Sequence, residues 1–104
     1  MSITAEEAIN RVNESVIVEM LVQRTKCCTG SSQVFLDSES NHRDPKNLGV
    51  VITVEGRPIF VAAGIDDPSA HFNGKTIRVQ GKVIRKEKGP YIEVTDPSQI
   101  EIVA

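Results

Sequence analysis

Gly74-Lys75-Thr76-Ile77-Arg78-Val79-Gln80-Gly81-Lys82-Val83-Ile84-Arg85, followed shortly by Gly89-Pro90-Tyr91-Ile92-Glu93-Val94, is the stretch that decides the fold. In an extended chain Ile77, Val79, Gly81 and Val83 fall on one face, and Arg78, Gln80, Lys82 and Ile84 on the other. That period of two makes one long strand, and Gly81 at its middle is where such a strand bends or bulges. Lys88-Gly89-Pro90 closes a hairpin, and Tyr91 to Thr95 returns with Ile92 and Val94 facing inward. Asp96-Pro97-Ser98-Gln99 is a turn, after which Ile100, Ile102 and Val103 finish an edge segment.

Upstream, the pattern changes period twice. Thr4-x-x-Glu7 is a capping box, and Ala5, Ala8, Ile9 and Val12 follow at helical spacing, which predicts a short helix over 4–13. Val16, Val18, Met20 and Val22 then alternate with Ile17, Glu19, Leu21 and Gln23, a first strand over 15–26. Val34-Phe35-Leu36 is a short second strand. Leu48, Val50, Ile52 and Val54 form a third. Between them lies the most polar stretch, Asp37 to Asn47, expected to be ordered by its own contacts, with Arg43 held by a carboxylate or by backbone carbonyls. Residues 57–63 read equally as strand or helix, and Pro68 starts a helical turn ending near Phe72. The expected fold class is therefore all-β with a minor helix: a five-stranded Greek-key barrel over residues 15–104, preceded by a helical segment over 1–14. Val18, Met20, Val50, Ile52, Ile77, Val79, Val83, Ile92 and Val94 are the expected core.

Composition limits what such a barrel can be. The chain has 104 residues, enough for one core, and no apolar run near the ~20 residues of a membrane span. No partner membrane is expected. The acidic start Glu6-Glu7 without an apolar stretch reads as the absence of a signal peptide, and a cytoplasmic location is expected. Cys27 and Cys28 are adjacent and poorly placed to bridge each other, which fits a reducing compartment. His42 and His71 are isolated, so neither a metal nor any other cofactor is expected. The net charge of -2 is not that of a strongly basic nucleic-acid binder. The run from Lys75 to Lys88 nevertheless holds six bases against Glu87 alone.

The pattern of residues 74–85, continued through 89–94 to Ile100-Glu101-Ile102, resembles the second half of OB-fold domains of the tRNA-anticodon-binding type. There a G-K-x-V-x-V-x-G-x-V strand precedes a G-x-P-x-I-x-V hairpin. The resemblance is good over 74–103 and loose over 15–56, where the first strand lacks the usual bending glycine. It implies a ligand face across strands 2 and 3, flanked by the loops joining strands 1–2 and 4–5. Carried over by position, the nucleic-acid-binding candidates are Arg24, Lys26, Phe35, Arg85, Lys86 and Lys88, with Val51 and Thr53 on the strands between. Phe35 can stack on a base only if Val34 and Leu36 are the core residues of their strand.

Two short motifs imitate chemistry. His42-Arg43-Asp44-Pro45-Lys46-Asn47 echoes a kinase catalytic loop, but its Asn arrives too early and no Gly-rich loop accompanies it. Asn73-Gly74-Lys75-Thr76 ends like a P-loop, yet Ser69 stands where the first glycine belongs and the motif enters a strand. The sequence thus reads as no enzyme. It reads as a small binding module with two candidate partners: single-stranded nucleic acid, held weakly without sequence preference, or a protein, including a second copy docked on the outer face of strand 1 through Ile17 and Leu21 beside Ile84.

Overall fold

The structure is a computed structural model describing residues 2–27, 33–41, 44–86 and 89–103, with the backbone alone of Cys27 and Lys86. Its element order is α1 (Ala5–Ala8), β1 (Ser15–Leu21), β2 (Arg24–Cys27), β3 (Val34–Asp37), β4 (Gly49–Ile52), α2 (Arg57–Ala62), α3 (Pro68–Phe72), β5 (Thr76–Lys86), β6 (Gly89–Val94) and β7 (Ile100–Ile102). A 3-10 turn over Pro97–Gln99 separates β6 from β7.

The strands form one curled sheet in the order β1-β5-β6-β4-β3-β2, and β7 pairs with β5. The pairings are antiparallel except β4 with β6, which run parallel. Seven strands stand where five are expected. The extra ones arise because the predicted first strand is two, β1 and β2, and because the segment after the last turn is the paired strand β7. The division at residues 22–23 follows from a change of partner. Val22 donates its N–H to the Lys75 carbonyl, and Gln23 donates to the Asp37 carbonyl. β1 therefore ladders with β5, and β2 with β3. The two margins of the sheet are consecutive in the chain.

Alternation decides what is buried. All nine expected core residues are at 0–5% exposure, joined by Leu36, Leu48, Phe60, Phe72 and others. Phe60 of α2 and Phe72 of α3 meet edge to face at 6.5 Å, so the two short helices place aromatic rings in the core. The α1 capping box is present, with Thr4 Oγ1 accepting from Glu7 N–H. α1 is shorter than expected, however. The chain leaves the helix through turns and reaches Asn13 with φ 72°, a left-handed residue that ends helical propagation. Residues 57–62, open between strand and helix, are helical, with a proline in the first turn. Among the described residues no helix is long and apolar enough to cross a membrane.

Gly81 lies opposite Val16 in the β1–β5 ladder. A Cβ at this position would stand 2.6 Å from Ile92 Cγ2. The glycine lets β6 lay a core isoleucine almost against the β5 backbone.

Candidate functional site

The outer face of β2, β3, β4 and β6 is built by register. Leu36, Val50 and Ile92 share one cross-strand row and are fully buried, so the residues on either side of each point away from the core. One outward row is Lys26–Phe35–Val51–Glu93. The next, two residues along each strand, is Arg24–Asp37–Gly49–Tyr91, continuing to Ile84 on β5. Phe35 is partly exposed, while Val34 and Leu36 are fully buried. The condition that frees Phe35 to face a ligand is met.

Asp37 closes the second row. Its carboxylate accepts from Arg24 Nη1 at 3.2 Å on one oxygen and from Asn47 Nδ2 at 3.2 Å on the other. Its side chain is only 8% exposed, against 35% for its ion-pair partner Arg24. Asn47 also accepts from the Glu39 N–H, and Ser38 Oγ accepts from the Leu48 N–H at 2.8 Å. Gln23 Nε2 donates to the Ser38 carbonyl at 2.9 Å. The polar stretch after β3 is thus tied to the strand ends by side-chain bonds, with Asp37 and Asn47 at their centre. The expected Arg43 contacts lie outside the described residues. Gly49, between Asp37 and Tyr91, adds no side chain to the face.

The structure brings together three of the six candidate binding residues: Arg24, Lys26 and Phe35. Arg85 is exposed but lies one residue off the outward row, opposite Pro90, at the far side of the sheet order. Lys86 pairs by backbone with Gly89, and Lys88 lies outside the described residues. Thr53, a candidate by position, is engaged within the fold, since its hydroxyl lies 3.2 Å from that of Thr95 and accepts from the Gly56 N–H. The basic run also disperses. Arg78 is bound by Glu19 at 3.0 Å and Glu101 at 3.1 Å across β1, β5 and β7, on another part of the sheet. Asp37 and Gly49 were not among the candidates. Their signals were present in the sequence: an acid closing a β-strand, and a glycine opening the third alternating stretch. Among the described residues no group of three His, Cys, Asp or Glu could hold a metal ion.

Solved structures share this fold. The chain matches a protein assigned as an aspartyl-tRNA synthetase from Leishmania major Friedlin over 100% of its own length and 21% of that chain, with TM-score 0.65 and 14% identity. It matches asparaginyl-tRNA synthetase from Pyrococcus horikoshii complexed with asparaginyl-adenylate over 99% of its length and 22% of that chain, with TM-score 0.64 and 15% identity. The aspartyl-tRNA synthetase from Entamoeba histolytica matches over 95% and 20%, with TM-score 0.60 and 16% identity. The chain thus spans about a fifth of each of these proteins. At such identities the likeness is one of fold, and it is the fold that the resemblance of residues 74–103 implies. No protein-family model matches the sequence, and no curated protein does.

Proposed function

We propose that this chain is a non-catalytic OB-fold module of the cytoplasm that binds single-stranded nucleic acid, weakly, on the outer face of β2, β3, β4 and β6. In this reading β1 and β2 are one long bent strand, and β7 continues β6 along the same edge of β5. The sheet is then a five-stranded Greek-key barrel with its seam at residues 22–23. The observation that carries the binding reading is the outward row Lys26–Phe35–Val51: an aromatic ring beside a cationic side chain, on a face whose neighbouring row holds Arg24 and Tyr91. Rings on such faces stack on bases for about 1–3 kcal/mol each, and cations beside them pair with phosphates. The shared fold with segments of tRNA synthetases supports the same ligand class.

The test is a fluorescence-anisotropy titration of a labelled single-stranded oligonucleotide at low and moderate salt. With Arg24 and Lys26 each holding one phosphate, log affinity should fall with log salt at a slope of roughly -1.4. Phe35→Ala should weaken binding by about 1–3 kcal/mol. An oligonucleotide that fails to bind at about 50 mM salt removes the reading. The rival, a protein-interaction module or a homodimer through the outer face of β1, is the weaker one. Leu21 is exposed there, but the Glu19–Arg78–Glu101 ion triad separates it from Ile17, leaving no continuous apolar patch. Sedimentation at rising protein concentration tests it.

A further inference from the structure

The Arg24–Asp37 pair lies one row from Phe35 on the proposed ligand face. Two residues of strand separate the rows, roughly 7 Å, which is within the reach of a base stacked on the Phe35 ring. Only Nη1 of the Arg24 guanidinium bonds to Asp37; its Nη2 and Nε have no partner among the described residues. Asp37 itself cannot swing away. It is gripped by Asn47 from the opposite side and is almost fully covered. A guanidinium tethered at one nitrogen to a fixed carboxylate presents its remaining donors in a set direction, unlike a free surface arginine.

Resting on the nucleic-acid reading above, we propose that this pair makes the face a guanine reader: a guanine stacked on Phe35 turns O6 and N7 toward Arg24, and Asp37 is the residue that positions the arginine. Two adjacent acceptors match the guanidinium fork. Adenine puts its N6 amino group where the fork needs an acceptor. Uracil offers O4 alone. The face therefore ranks guanine above uracil and adenine. Lys26, on the Phe35 row, supplies charge without this geometry, since an ammonium is a point donor.

The experiment compares short labelled oligouridylates that carry one central guanosine or one central adenosine. The intact chain should prefer the guanosine probe by about tenfold or more. Arg24→Lys keeps the positive charge and loses the fork, so the salt slope should stay the same while the preference falls to near unity. Asp37→Asn should lose the preference in the same way, with folding checked by circular dichroism; if that variant does not fold, Arg24→Lys alone decides. Binding of both probes with equal affinity overturns the guanine assignment and leaves nucleic-acid binding standing. A preference that survives Arg24→Lys overturns it too, and one that survives only Asp37→Asn removes the positioning role. Failure of both probes to bind at low salt overturns the function proposed above, and this inference with it.

Discussion

Gly81 stands where Ile92 of the neighbouring strand comes within 2.6 Å of the place a methyl would occupy. Ile92 is fully buried, and its branched side chain has nowhere to retreat. Gly81→Ala should therefore destabilise the chain by about 1–3 kcal/mol, the usual cost of overpacking a filled core. The urea midpoint should fall with the slope unchanged. The glycine stood out in the sequence because it interrupts an otherwise alternating strand. Its reason did not: the sequence offered a bend or bulge, whereas the structure shows close approach of a residue eleven positions away in the chain. Arg78 teaches the same thing about charge. Along the chain it belongs to a basic run, but its carboxylate partners come from β1 and β7, and no reading of neighbours in sequence finds them.

Short elements here depend on their caps. Asp67 caps α3, accepting from the Ser69 N–H, and Asp96 caps the 3-10 turn before β7, accepting from the Ser98 N–H. The Ser69 side-chain hydrogen bond, with backbone N–H donors beside it, holds the Asp67 carboxyl below its ordinary value of 3.8. The Ser98 backbone N–H, with its hydroxyl, does the same for Asp96. A carboxyl with a lowered folded value binds its proton more readily in the unfolded chain. Both caps thus contribute full stability above the ordinary value and lose it as pH falls through the lowered ones. Replacing Asp67 and Asp96 together by alanine should lower stability at neutral pH and shrink the loss on acidification, as read by urea unfolding at pH 7 and in strong acid. Two helix starts were legible from such signals, Thr4 with Glu7 and the proline opening α3, while residues 57–63 stayed open between strand and helix. Element ends were less so. α1 stops early in turns that lead to a left-handed Asn13, and the first strand divides at Val22-Gln23 with no glycine or proline to announce it. What divides it is a change of hydrogen-bond partner, which belongs to the sheet and not to the segment.

For the whole molecule, alternation was the strongest signal, because each strand buries one face and the apolar residue every second position is that face. Val79→Asp should consequently unfold the domain, since an unpaired carboxylate in this core costs several kcal/mol against a total stability of about 5–15. Collapse of the dispersed amide spectrum would report it. The proposed ligand face was legible only in part. Arg24, Lys26 and Phe35 could be placed by position, while the Asp37–Arg24 ion pair and the neutralised Arg78 required knowing which strands lie side by side. The pairing pattern also bears on time. Ser15 lies opposite Lys82, and Gly49 runs parallel to Tyr91, so β1 has no strand partner, and β4 only β3, until the last third is made. Chains dominated by such distant pairings fold in milliseconds to seconds, and stopped-flow refolding should place this one in that range. During synthesis the apolar faces of β1 and β4 emerge long before β5 and β6 exist to cover them. A chain of this design is most exposed to misassociation while it is still being made.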